Sequence, residues 1–285
     1  MQIDILNGGY VKLINHMGND LSPIEDARLS TNTELNPSRD DKLREFLWEH
    51  LHTSPFQGCE LQIEIKVPIF VLHQLNRHRT VSMDELEITS SNEDFRKWFS
   101  PNEQSGRYSK FQDEFFLPSK LLAQDTKNKQ SSVDTLDEET QQQGLAIIAA
   151  DNERSYNSYC ELLKLGISKE HARMVLAPTI FTKRRIKGDI KNWGDLLALR
   201  LPSDVQPESR EVATAVSTII KSIWPKWYKV FENHTLYAKK FSRDELKELA
   251  NYIERAASFG VQGGLSDKLV KKIDESLIEM LKVNG

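Results

Sequence analysis

Cysteine is the scarcest informative residue: 285 residues hold two, Cys59 and Cys160. Two thiols exclude a disulfide framework and a cysteine-rich zinc site, and they suit a reducing compartment, so a cytoplasmic protein is expected. Long apolar runs are missing as well. The opening residues MQIDILNGGYVKL alternate apolar with polar, so neither a signal peptide nor a membrane span is expected. Charge of one sign is also lacking: 38 Lys and Arg against 42 Asp and Glu leave a net −4, which excludes global attraction to nucleic acid or an anionic membrane. Any phosphate site must therefore be local. The sequence has no glycine-rich phosphate loop, internal repeat or low-complexity linker, and its histidines show no metal-ligand spacing, so no metal is expected.

What is present is an ordinary globular composition, 39% hydrophobic and 28% charged, long enough for one large domain or two small ones. Ile3, Ile5 and Leu6 before Asn7-Gly8-Gly9 read as a strand and turn, with Tyr10 opening a second strand. Ser22-Pro23-Ile24-Glu25 reads as a capping box, and Ser38 as the cap of a helix that turns Leu43, Phe46, Leu47 and Leu51 to one face. Leu61, Ile63, Ile65 and Val67 alternate with polar residues, which predicts a half-buried strand. Pro68 then opens a short helix over 69–76. A strand is expected over 107–117, a polar surface loop over 124–137, and helices over 138–165, 168–176, 188–200 and 208–224, with two more capped by Ser242 and Ser266. The class is α+β and helix-rich, with strands concentrated in the first 120 residues.

Chemistry concentrates in Arg77-His78-Arg79 and, after an irregular excursion, Asn102-Glu103-Gln104-Ser105-Gly106-Arg107-Tyr108-Ser109. Arginine forks match phosphate or carboxylate oxygens in a bidentate way, and Ser105 with the Gly106 backbone can donate to the same anion. Basic triplets of this kind more often lie on a solvated face or favour a helix carboxyl end. Neither cysteine is placed as an activated nucleophile, and no histidine or lysine accompanies Ser105, so anion binding is the better role for its hydroxyl. A second basic run, Lys183-Arg184-Arg185-Ile186-Lys187, lacks the interleaved aromatics of a nucleic-acid reader. A place near anionic cofactors or a solvated loop are its remaining readings.

The two halves together resemble the signature of the flavin-dependent thymidylate synthases, Arg-His-Arg followed by Asn-Glu-x-Ser-x-Arg-Tyr. The resemblance extends through Thr53-Ser54-Pro55-Phe56, Pro68-Ile69-Phe70-Val71 with Gln74, Ala172-Arg173-Met174-Val175-Leu176 and the segment ending at Arg200, over about 1–82 and 102–241. It implies an antiparallel sheet flanked by helices, and reductive C5 methylation of dUMP to dTMP. Methylenetetrahydrofolate would be the carbon donor, FAD reduced by NADPH the reductant, and the assembly a homotetramer with active sites at subunit interfaces. Carried over, Gln74, Arg77, Glu103, Gln104, Ser105, Gly106, Arg107, Arg173 and Arg200 would surround dUMP, with Arg200 as the catalytic cation against the uracil. Ser54, Arg77, His78, Arg79, Glu103, Asp189, Lys191 and Asp195 would hold FAD, and His52 lies close by in sequence. No nucleic acid is expected.

The chain departs from that family at Asp189, where asparagine is usual, at Asp195, where asparagine or histidine is usual, at Gln57 and Gly58, in an insertion over 83–101, and in residues 242–285. The insertion is expected to leave and return as a surface loop. Residues 1–241 are expected to form the catalytic domain and 242–285 a helical extension packed on it. A carboxylate near flavin would need a compensating cation such as Lys191 or Arg185. Two other readings stay open: C5 methylation or hydroxymethylation of another pyrimidine nucleotide, and a non-catalytic nucleic-acid-binding protein.

Overall fold

The computed structural model describes residues 1–76, 100–126 and 132–258. The expectations on Arg77, His78, Arg79, most of the insertion and the Ser266 helix therefore lie outside the described residues. Contacts divide the chain into a unit Met1–Leu236 and a second from Tyr237 onward.

Five antiparallel strands form the main sheet. Strand β1 (Gln2–Ile5) turns through Leu6, Asn7 and Gly8, all at positive φ, into β2 (Gly9–Met17). The expected 3.6-to-2 switch gives β3 (Glu60–Pro68), whose Leu61, Ile63, Ile65 and Val67 are buried while Glu60, Gln62, Glu64 and Lys66 face outward. The short β4 (Ser100–Glu103) is an edge strand, so Ser100 and Pro101, expected at the end of a looping insertion, are ladder residues. A separate two-stranded ribbon, β5 (Ala123–Gln124) and β6 (Ser132–Val133), occupies the stretch expected to be loop.

Strand β7 (Phe181–Asp189) corrects the reading of the basic run and of strands confined to the first 120 residues. It pairs with β3 from Glu60↔Asp189 to Pro68↔Phe181 and carries β4 on its other side, which makes the sheet order β1-β2-β3-β7-β4. Period two places Arg185 and Lys187 outward, where they meet Glu64 (2.9 Å) and Glu60 (2.7 Å), so those two charges are neutralised within the sheet. Arg184 points inward.

The helices of the first unit are α1 (Ser22–Thr31), α2 (Pro37–Glu49), α3 (Ile69–Leu75), α4 (Glu138–Lys164), α5 (Lys169–Ala172), α6 (Ile190–Arg200), α7 (Pro207–Ile223) and α8 (Pro225–Phe231), of which α3, α6 and α7 cover the inner face of the sheet. The second unit holds α9 (Arg243–Ser258). Helix α7 packs on β1 and β2, α3 on β3, and α6 on α7, closing a core that includes Ile63, Ile65, Trp193, Leu197, Val216 and Ile220. Trp48 stands edge-on to Phe56 (5.1 Å) and Trp227 (5.2 Å), contacts worth about 0.5–1.5 kcal/mol each beyond area burial.

Several local expectations fail for physical reasons. Asn36, not Ser38, caps α2, and Ser22 begins α1 while its hydroxyl accepts from the Asn19 amide. Helix α2 buries Asp40, Arg44 and Trp48, leaving Phe46 49% and Leu51 80% exposed. Arg44 wins the buried row because its guanidinium donates to the Asp20 carbonyl (2.7 Å) and to Asp41 (2.6 Å) while its stem packs. Residues 107–117 form no strand. The Phe111 backbone is satisfied instead by hydroxyls from α4, donating to Tyr159 (3.3 Å) and accepting from Tyr156 (3.2 Å). The expected 168–176 helix is α5 followed by a 3-10 turn, Arg173–Val175.

Candidate active site

The edge strand β4 delivers the second half of the signature. Glu103 lies opposite Arg184 across the ladder, and the Thr182 hydroxyl donates to its Oε1 at 3.4 Å. The Gln104 amide continues the ladder to the Lys183 carbonyl (2.9 Å). The chain then turns: the Ser105 carbonyl accepts from the Tyr108 and Ser109 amides, and its hydroxyl accepts from the Arg107 amide (3.3 Å). Gly106 is buried at this turn. A Cβ there would collide with the Phe111 ring and stand 3.2 Å from Arg173 Cδ, so glycine is what lets the turn close against the arginine stem.

Helix α5 and its 3-10 extension hold the other wall. Lys169 Nζ donates to the Tyr108 carbonyl (2.8 Å), and Arg107 Nε lies 3.6 Å from Glu170. The Arg107 side chain is 58% exposed and that pair is long, so its guanidinium stays available to an anion. Arg173 is exposed beside Gly106.

A second group forms at the carboxyl end of α3. Arg200, the last residue of α6, donates to the Gln74 carbonyl at 3.4 Å, and Ser209 of α7, 0% exposed, donates to Gln74 Oε1. Just beyond, Arg184 donates to Asn76 Oδ1. The structure thus brings Gln74 to Arg200, and Gly106 and Arg107 to the α5 end with Arg173. Arg184 stands between Asn76 and Glu103. Ser54 is exposed at the start of a 3-10 turn (Ser54–Gly58), and no described contact joins it to these groups.

The segment assigned to FAD by resemblance is internally compensated. Asp189 caps α6, its two oxygens accepting from the Asn192 amide (2.8 Å) and Nδ2 (2.7 Å), and burial pushes its carboxyl above the usual range. Lys191 holds Asp195 at 2.7 Å. An anionic cofactor would therefore meet no bare carboxylate there. Asn192 Oδ1 is buried without a hydrogen-bond partner among the described residues, an acceptor that suits a donor group of such a cofactor. Cys59 is buried and its thiol is pushed up to about 12, chiefly by desolvation, which rules it out as a nucleophile at neutral pH.

Ser209, Asn76 and Glu170 were not singled out from sequence as site residues, and Arg184 was marked only as one of the basic run. Their partners lie far away along the chain, and only the inward alternation of β7 would have marked Arg184 as buried.

Together these features define an α+β protein with exposed arginines gathered near the open edge of its sheet. A family model described as thymidylate synthase complementing protein matches residues 12–226. The chain is 36% identical to the flavin-dependent thymidylate synthase of Kosmotoga olearia over 234 residues, 82% of this chain and 94% of that one. It is 32% identical to that of Thermus thermophilus over 280 residues, 96% of each. Among solved structures, the UMP/dUMP methylase PolB of Streptomyces cacaoi, bound with 5-Br dUMP, shares the fold at a TM-score of 0.68. That match covers 81% of this chain and 97% of that one at 23% identity. The chain belongs to the flavin-dependent thymidylate synthase family.

Proposed function

We propose that the protein is an FAD-dependent thymidylate synthase that methylates dUMP at C5 to give dTMP, with methylenetetrahydrofolate as carbon donor and NADPH as reductant. Membership of the family over residues 12–226, with Glu103-Gln104-Ser105-Gly106-Arg107-Tyr108 intact, carries this reading.

The residues divide the work by chemistry. Arg107 and Arg173, on either side of Gly106, supply guanidinium forks for the substrate phosphate, and Ser105 adds its hydroxyl. Arg77 joins them in this reading. Gln74, held by Ser209, presents its amide to the nucleotide. Arg200, anchored to the Gln74 carbonyl, sits against the uracil and favours its anionic, enolate-like form as C5 becomes nucleophilic. Glu103 and Gln104 complete the dUMP surround. Ser54, His78 and Arg79, with Glu103 and the Asp189–Asp195 segment, would hold FAD, and what that group supplies when bound is hydride chemistry, which removes the need for an enzyme thiolate. The high pKa of Cys59 agrees with that division.

We place the enzyme in the cytoplasm as a homotetramer, with residues 1–241 catalytic and 242–285 an extension. Helix α4 supports an oligomer: of its 27 residues only Gln141, Asn152 and Tyr159 are buried, and Ile147 is 64% exposed. No helix among the described residues is long and apolar enough to cross a membrane.

The test is product mass after separate incubations of purified protein with dUMP, UMP and dCMP in the presence of methylenetetrahydrofolate and NADPH. Conversion of dUMP alone to dTMP is expected. Preferred turnover of UMP or dCMP would move the assignment to another pyrimidine nucleotide, and a protein that neither retains FAD nor forms product would end it.

A further inference from the structure

Position 184 is one where an aliphatic residue would be expected. It lies in the interior of β7, opposite Ile65 on β3, and shares a crevice with Ile63, Ile186, Trp193 and Val212. It holds an arginine instead, 7% exposed. A guanidinium in such surroundings is costly unless its charge and its donors are matched.

Two matches come from opposite sides, and both adjoin the signature. On one side Nη1 donates to Asn76 Oδ1, and Asn76 is joined by a peptide bond to Arg77. On the other, Glu103 occupies the paired position of the edge strand, where side chains of partnered residues share a face. Glu103 opens the Glu-x-Ser-x-Arg turn, and its carboxylate favours the charged form of Arg184 against the burial that disfavours it. Glu103 is exposed at the open edge, while Arg184 is covered by the helix layer. The fork is thus tied to the end of α3 by its hydrogen bond to Asn76, and its charge stands across the ladder from Glu103 on the edge strand, a directed bond that a lysine point charge does not reproduce.

We infer that Arg184 is a positioning residue of the nucleotide site: anchored at the Asn76 end of α3, it holds a positive charge opposite Glu103 that biases where the Glu103 carboxylate lies, and it acts on dUMP only through Glu103. This rests on the proposed function, in which Glu103 adjoins dUMP. Arg184 itself touches no reacting atom in this reading.

A double-mutant cycle on dUMP affinity, measured calorimetrically, separates positioning from general stabilisation. Arg184→Met keeps the stem and removes the fork, and Glu103→Gln keeps the shape and removes the charge. Each is expected to weaken dUMP binding about tenfold, and the double variant no more than about threefold beyond either single one, because the second change removes something already lost. Losses that multiply would overturn the inference. So would an Arg184→Met protein that binds dUMP as the wild type does. If Arg184→Met fails to fold by circular dichroism, Arg184→Lys takes its place in the cycle, with a smaller loss expected and the same departure from multiplication required. Wild-type protein that binds no dUMP defeats the proposed function and this inference together, whereas the other two outcomes defeat the inference alone.

Discussion

Asp189 illustrates how a single residue carries both stability and site chemistry. Burial raises its carboxyl, outweighing the Asn192 amide and Lys191, which favour the anion. A group whose folded pKa is raised contributes stability at low pH that is lost as pH rises through the folded value. Asp189→Asn keeps a good helix cap and removes the buried charge. The variant should therefore melt above wild type at pH 7, with the gap closing as pH falls into the carboxyl range, near about 4. A variant that melts lower at pH 7 would contradict this. At Gly106 steric exclusion decides: Gly106→Ala must displace the buried Phe111 ring or the Arg173 stem. We expect a loss of about 1–3 kcal/mol in urea unfolding together with weaker dUMP binding. Unchanged stability and affinity would refute the close approach. Between the arginines, Arg107→Ala should mainly raise KM for dUMP, while Arg200→Ala should lower kcat further than affinity explains. Equal effects on both constants in both variants would remove that distinction. Cys59→Ala should leave turnover intact, since the buried thiol takes no part.

Among the elements, α2 shows where sequence pattern misleads. Leu43, Phe46, Leu47 and Leu51 suggested one face, of which Leu43 and Leu47 are half-buried while Phe46 and Leu51 are exposed; the buried row is Asp40, Arg44 and Trp48, because Arg44 satisfies the Asp20 carbonyl and the Asp41 carboxylate. Arg44→Ala should cost about 2–3 kcal/mol in a denaturant midpoint experiment, from the lost stem packing and the carbonyl left without its donor. A shift below about 0.5 kcal/mol would show that the network contributes little. Strand β3 was legible because its inward residues are all aliphatic. Strand β7 was not, because its inward row is Thr182, Arg184, Ile186 and Gly188, and the period of two is hidden inside a run of cations. The 107–117 segment misled in the opposite direction: Phe111 bonds to tyrosine hydroxyls of α4, and the only pairing in the segment is an isolated bridge, Phe115↔Ile180, too short to make a strand. The same reasoning applies to the site. Arg107, Arg173 and Arg200 were recognisable from motif order, whereas Ser209 and Arg184 act on residues more than one hundred positions away.

In the unit 1–236, the antiparallel sheet brings an edge strand, one helix end and a short 3-10 turn toward its open margin, and in the proposed function arginines from these elements would face an anion there. A chain of net −4 exerts no global attraction on a nucleotide, so a local concentration of arginines is what would draw one. In the proposed function that margin serves a flavin and a pyrimidine nucleotide together. The most direct measurement is the visible absorption spectrum of the protein, isolated after saturation with FAD and gel filtration, before and after dUMP is added. The account predicts a yellow protein whose flavin bands shift when dUMP binds. A colourless protein, or flavin bands that dUMP leaves unmoved at saturating concentration, would contradict it.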